Sequence, residues 1–277
     1  MRFAVNVHNF AAFADIRRLA ELAREAEDSG WDGFFLWDHI HFTQQPMIDP
    51  WVALTAIALA TSRIRIGTMI TPLPRRRPWK VARETVSIDQ LSGGRLILGV
   101  GLGGPPDEEF TRLGEDANVR VRAGKLDEGL DVLTGLWSGE PFSYQGEHYQ
   151  LDNVTFLPRP VQQPRIPIWV GGYWPNRAPF RRAAQWDGAW PAKVGATPDS
   201  AGLLTLDELP EVITYIREHR RSDGPYDISA SAAIPADGAH ARDLVDRFAA
   251  AGATWLMDWR PDPEALSERL RAGVPQT

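Results

Sequence analysis

Residues 29–39 read Ser29-Gly30-Trp31-Asp32-Gly33-Phe34-Phe35-Leu36-Trp37-Asp38-His39. The Ser-Gly pair reads as a helix stop, since glycine tolerates the left-handed conformation that ends helices. Upstream of it, Asp15 can cap a helix whose Ile16, Leu19, Leu22, Ala23 and Ala26 recur on one face. Downstream, residues 33–37 form an apolar run without alternation. Such a run is a strand buried on both faces, as in a parallel sheet covered by helices. The segment is therefore one α-to-β passage of an α/β protein, and it ends on two residues able to do chemistry.

The same unit recurs along the chain. Residues 2–8 alternate like a strand. An apolar helix covers 51–61, a third strand 64–70, a helix 79–91 stopped by Ser92-Gly93-Gly94, and a fourth strand 96–100. The middle is irregular: a short helix at 107–114, a longer one at 120–137, and a small hairpin around Gly146 within 142–151. After a Pro-rich tract, strands are expected at 168–170, 189–192, 228–234 and 255–259, with helices at 177–185, 207–221, 242–250 and 263–271. Eight strands alternating with eight helices in 277 residues approach the ~250 residues typical of a TIM (β/α)8 barrel. A doubly wound sheet is the competing architecture. No linker or composition shift divides the chain, so the expectation is a single barrel domain over 1–277. It carries an insertion after strand four, spanning 105–165 and lying over the C-terminal face.

Composition narrows the function. Lys and Arg number 30 against 36 Asp and Glu, a net charge of −6, which argues against a nucleic-acid or polybasic membrane binder. With no cysteine, thiolate catalysis, disulfides and iron–sulfur ligation are excluded. Asn6, His8, Asn9 and Asp15 break any apolar signal core, and no stretch reaches the ~18 apolar residues of a membrane helix, so the expected location is the cytoplasm.

In a barrel, function sits at the C-terminal ends of the strands. Asp38-His39 closes strand two, where histidine can exchange a proton near neutral pH and Asp38 can orient it or contact a ligand; a plain structural pair is the alternative. His39-Ile40-His41 also resembles the paired histidines of metal-dependent amidohydrolase barrels, with Lys193 and Asp258 suggestively placed. Of the other histidines, however, only His8 lies at a strand end, too few for two metals, and no metal is expected. Residues 99–104 match G-x-G-x-x-G, a weak signal where it stands after strand four; close backbone approach is the simpler reading. Gly171-Gly172 before a helix could hold an anion, or form an ordinary turn. Arg75-Arg76-Arg77 could hold an anionic tail, or be a solvated loop. Trp37, Trp174, Trp190 and Trp259 fall near strand ends, and together they suggest a broad aromatic pocket for a flat ligand.

The chain resembles the luciferase-like monooxygenase superfamily over about residues 1–195. The carriers are Gly30-Trp31-Asp32-Gly33 leading to Trp37-Asp38-His39, residues 62–68, the run Leu91-Ser92-Gly93-Gly94-Arg95 to Gly99-Val100-Gly101, Glu108-Glu109-Phe110 with Leu113-Gly114, residues 166–172, and residues 186–190. The resemblance implies a barrel that binds FMN or the deazaflavin coenzyme F420 across its strand C-termini, usually as a homodimer, and oxidises or reduces a small organic substrate. It implies that Asp38 and His39 face the ring, with His39 transferring the proton. It also implies a bulge, often with a cis non-prolyl peptide, at Thr68, Met69 and Ile70, and a phosphate loop at Gly171 and Gly172. Gly101, Gly103 and Trp190 complete the expected cofactor contacts. Arg75–Arg77 tilt the expectation towards F420. A non-catalytic flavin-binding barrel is the other outcome the resemblance allows. The deazaflavin-dependent sugar-phosphate dehydrogenases have Glu directly after the G-x-G turn and Trp shortly after Asp-His; Gly104 and Thr43 stand there, so that substrate is not expected.

Overall fold

The structure, a computed structural model, describes residues 1–41, 44–193, 204–235 and 237–275. Its centre is a closed parallel barrel. Strands β1 (Arg2–Val7), β2 (Gly33–Leu36), β3 (Arg65–Pro72), β4 (Leu96–Gly101), β7 (Ile168–Trp174), β8 (Gly188–Lys193), β9 (Asp227–Ser231) and β10 (Trp255–Asp258) pair in that order, and β10 closes on β1. The helices around it are α1 (Ile16–Asp28), α2 (Pro50–Ala60), α3 (Pro78–Ser92), α5 (Val119–Trp137), α6 (Arg177–Ala183), α7 (Glu208–His219), α8 (Gly238–Ala250) and α9 (Pro263–Arg271), with the single turn α4 (Pro106–Glu109) after β4. This is the TIM-type barrel expected from the sequence. Asp15 caps α1 as anticipated, accepting from the Arg17 and Arg18 amides.

Strand alternation sorts the side chains into two cores. Ala4, Phe35, Met69, Ile97, Trp169, Trp255 and Met257 point inward and fill the barrel. Phe35, Trp169 and Trp255 pack against one another with ring centroids 5.3–6.1 Å apart. Three large rings in one layer make the barrel a packed core and confine any ligand to its mouth. The outward residues, such as Val5, Phe34, Leu36, Leu98 and Val170, pack beneath the helices.

Between β4 and β7 the chain leaves the barrel. Residues 106–113 stay at the strand ends, while β5 (Phe142–Gln145) and β6 (Gln150–Val154) form a separate antiparallel hairpin. Glu128 of α5 accepts from the amides of Glu147, His148 and Tyr149, and Gly135 lies against Phe142. The tract after it runs along α3, where Asp89 accepts from the Val161 and Gln162 amides. The hairpin and this tract thus clothe the helices, and α4 with the turn after it is the part that reaches the mouth. Among the described residues, no helix is long and apolar enough to cross a membrane.

Candidate active site

The C-terminal end of β2 separates its two chemical residues by alternation. Leu36 is outward and Trp37 inward, so Asp38 turns outward, beneath α2. Its carboxylate is fully buried and accepts from Thr71 Oγ1 at 2.9 Å, Trp51 Nε1 at 3.2 Å, Arg75 at 3.0 Å and Arg76 at 2.7 Å. Burial works against its charge, but the two guanidiniums and the Arg76 and Thr71 hydrogen bonds outweigh it and hold its pKa below the usual value. Its carboxylate is thus engaged by Thr71, Trp51 and the two arginines, and none of the described hydrogen bonds joins an Asp38 carboxylate oxygen to the His39 ring.

Glu109 orients His39 instead. It arrives from α4, 70 positions away in sequence, and its Oε1 lies 3.1 Å from His39 Nδ1. The same oxygen accepts from the Ile40 amide at 2.8 Å, while Oε2 takes Arg75 at 2.6 Å. Glu109 is fully buried; burial opposes its ionisation, and the His39 hydrogen bond, the charges of His39 and Arg75, and the Ile40 amide override it and lower its pKa. Arg75 bridges Asp38 and Glu109, so five ionisable groups, His39, Glu109, Arg75, Asp38 and Arg76, form one network at the rim. His39 is the member of this network beside the mouth, half-buried, with its ring 5.7 Å from Trp37 and 5.8 Å from Phe10. His8 is different: burial lowers its pKa, its Nδ1 meets the Phe10 carbonyl at 2.9 Å, and its ring stacks on Phe10. His41 lies near Glu108, Nδ1 to Oε2 at 3.4 Å. Lys193 pairs with Glu208, and Asp258 is buried between Arg260 and Arg269. Among the described residues no three His, Asp or Glu side chains converge on a metal position.

The floor of the mouth is apolar. In β3 the register slips between Thr68 and Thr71, and the Met69–Ile70 peptide is cis, in line with the resemblance. Met69 drops into the barrel core, and Ile70 stays partly exposed above it. Thr68 Oγ1 lies 3.3 Å from the Gly99 carbonyl and 2.8 Å from Thr71 Oγ1, whose own proton goes to Asp38, so the Thr68 hydroxyl has partners within the sheet. Gly101 and Gly171 flank Ile70: a Cβ on either would come within 2.8–2.9 Å of it. Trp190, half-buried, adjoins Gly171 and donates from Nε1 to Ser231 Oγ at 3.3 Å. Ile70 and Trp190, partly buried over the barrel core, with two bare glycines beside Ile70, give this end of the strands an apolar surface.

Two expected anion sites change character. Gly171 and Gly172 do not form a turn before a helix. They lie inside β7, paired with Trp190 and Pro191 of β8, and a Cβ at Gly172 would strike Pro179. The strand continues to Trp174 because β8 offers a ladder that long, which the short apolar run 168–170 could not reveal. Arg75 and Arg76 are engaged with carboxylates, while Arg77 is exposed, 5.8 Å over the Trp79 ring, so of the three only Arg77 has no carboxylate partner among the described ion pairs. Gly103 adopts a positive φ of 79° against Pro72, and Arg122 of α5 donates to the Leu102 and Gly103 carbonyls, fixing the turn. Trp174 faces outward under Arg177, leaving Trp37, Trp190 and Trp259 at the mouth. Thr43 lies outside the described residues.

Glu109, which bonds His39, carried no expected role in the sequence beyond its place in the Glu108-Glu109-Phe110 motif. An acidic residue in the single helical turn following the strand-four glycines was the available signal.

The structure is a parallel barrel with a histidine–carboxylate pair and an apolar surface at its strand C-termini. The chain belongs to the luciferase-like monooxygenase family, whose model matches residues 1–270. An uncharacterised protein of Mycobacterium tuberculosis is 29% identical over 94% of this chain and 93% of its own length. An F420-dependent glucose-6-phosphate dehydrogenase of Nakamurella multipartita is 32% identical over 57% of this chain and 47% of its own, and a flavin-dependent trigonelline monooxygenase oxygenase component of Acinetobacter baylyi 30% over 58% and 44%. Among solved structures, an F420-dependent secondary alcohol dehydrogenase in complex with an F420-acetone adduct superposes with a TM-score of 0.79 at 18% identity, covering 99% of this chain and 98% of that one.

Proposed function

We propose that the chain, as one domain over residues 1–277, is an oxidoreductase of the luciferase-like type acting on a small organic substrate with FMN or F420. The observation that carries this reading is the His39–Glu109 pair at the same barrel end as the apolar Ile70–Trp190 surface. A planar ring system fits that surface because the glycines at 101 and 171 add no side chain above it. When bound, such a ring supplies the hydride transfer, or with reduced FMN and oxygen the oxygen insertion, that no side chain here can perform. The protein's own part is threefold. Ile70 and Trp190 exclude water from one face. Gly101, Gly103 and Gly171 let the backbone approach. His39 exchanges the proton that must balance a hydride, and Glu109 keeps its ring oriented through Nδ1.

The family relation supports both cofactors, since its members in sequence include F420-dependent and flavin-dependent enzymes. Sugar phosphates remain outside the proposal because Gly104 and Thr43 replace the expected Glu and Trp. A homodimer belongs to the same proposal: α2 is apolar nearly all round, yet Val52 and Leu59 are exposed on it, as on a helix that a second copy covers.

Incubation with FMN or with F420, followed by desalting, tests the reading. Absorbance retained from one of them at about one equivalent is the expected result. Retention of neither would overturn it.

A further inference from the structure

Arg75 ends the short 3-10 turn Leu73–Arg75 that follows β3, and the buried Leu73 and Pro74 anchor that turn from below. Its side chain is only 4% exposed. The guanidinium forks between two segments. Nη2 donates to the Asp38 carbonyl at 2.7 Å and to Asp38 Oδ1 at 3.0 Å, while Nη1 donates to Glu109 Oε2 at 2.6 Å. The other Glu109 oxygen, Oε1, meets His39 Nδ1 at 3.1 Å and the Ile40 amide at 2.8 Å. Arg75 therefore holds the strand end that carries His39 and one oxygen of the carboxylate that orients it, and the second oxygen is turned to the imidazole.

Counting charges shows what a cation does there. Asp38 and Glu109 are both held in the ionised form, and Arg75 and Arg76 match them. A neutral His39 leaves this set balanced, and a protonated one adds a charge to it. Without Arg75 the count reverses: Glu109 loses its cation, and a protonated His39 would supply one. An unanswered charge is costly in a buried site, so the balance acts on the ring itself. Arg76 differs from Arg75, because among the described ion pairs it meets Asp38 and not Glu109.

We infer that Arg75 is a positioning residue for proton exchange at His39: it fixes the Glu109 carboxylate against the ring and answers its charge, so that the ring stands ready to accept a proton. The inference rests on the reading of His39 as the exchanging group. Other titratable groups surround the ring. Asp38 precedes it in the chain and is matched by Arg76, and His41 pairs with Glu108. His8, at the end of β1, has its pKa lowered by burial. Phe10 and Trp37, which pack against the ring, carry no charge.

The test follows the histidine ring resonances of the cofactor-free protein through a pH titration. In Arg75→Met, the pH at which the His39 ring takes up its proton should rise by about one unit or more, since Glu109 then lacks its cation. Arg76→Met removes the same charge from the network but leaves the partner of Glu109 in place, and should move the ring by less than about half as much. Arg75→Met/Glu109→Gln keeps Asp38 and Arg76 balanced, and should titrate within about 0.3 unit of Glu109→Gln, because Arg75 acts through the carboxylate that both variants lack. That last comparison carries the test if Arg75→Met alone does not fold. An unmoved ring in Arg75→Met, an equal shift in Arg76→Met, or a shift that survives in the Glu109→Gln background would overturn the role. The two proposals fail separately, because cofactor retention is read after desalting. An unmoved ring in a protein that retains cofactor removes the role of Arg75 alone. A moved ring in one that retains neither FMN nor F420 removes the oxidoreductase reading and leaves the coupling of Arg75, Glu109 and His39.

Discussion

Arg95, just below β4, and Arg75, just above β3, are both buried guanidiniums, and they are held in opposite ways. Arg95 donates to the carbonyls of Ala58, Thr61, Ile64 and Ser92 and to Thr61 Oγ1. Near it, Glu27 accepts from the amides of Ser62, Arg63 and Ile64. Both of these charges are answered by main chain or hydroxyl, groups that do not titrate. Arg75 meets Asp38 and Glu109, and Glu109 meets His39. At the C-terminal end the charges answer one another, and one partner is an imidazole. The first arrangement can only hold loops in place, whereas the second can take up and release a proton. The motif that most marks the family, residues 91–101, therefore builds scaffold at its Arg95 end and the floor of the mouth at its Gly101 end.

The comparison can be broken at either end. Arg95→Ala should cost at least about 3 kcal/mol, because several buried carbonyls lose their partner together. Denaturant midpoints would measure it, and cofactor affinity of the folded fraction should stay within about twofold. A small stability loss would mean that the lower end is not held by this residue.

At the upper end, His39→Asn should lower single-turnover transfer about 100- to 10,000-fold, once a substrate is in hand, with cofactor binding nearly unchanged. An unaltered rate between pH 5 and 8 would move proton transfer to another group. Glu109→Gln should cost less, about tenfold to a hundredfold, since it removes the ring's anchor and not the exchanging group. Rates equal to wild type would show that His39 is oriented without it.

The smallest effect is a pH dependence at the lower end. Burial opposes the charge of Glu27, but the Ile64, Arg63 and Ser62 amides bring its pKa down to about 2 from an ordinary 4.5. A folded value below the unfolded one means that its contribution is complete above about pH 4.5 and is lost as pH falls through about 2. Stability of Glu27→Gln should therefore fall less steeply between pH 5 and 2 than that of wild type. Parallel curves would remove Glu27 from the acid response.

The barrel was legible because its signals are local. Ser29-Gly30, Asp15 and the unalternated 33–37 each act within a few residues, and apolar periodicity reports burial directly. The strand ends named the mouth, and His39 with it, because a parallel barrel puts its strand termini on one face. The sequence by itself thus determined the architecture, the face that works and the residue there able to exchange a proton. Which groups meet across that face was decided only by tertiary structure. Asp38 adjoins His39 in sequence, yet alternation sends it beneath α2, while Glu109 comes to His39 from 70 positions away. Arg75 and Arg76 looked like part of a free anion site because their partners, Asp38 and Glu109, lie on other elements. Gly171 and Gly172 looked like a turn because the ladder that extends β7 is supplied by β8. In each case the deciding partner is distant in the chain, and its position is fixed by barrel closure.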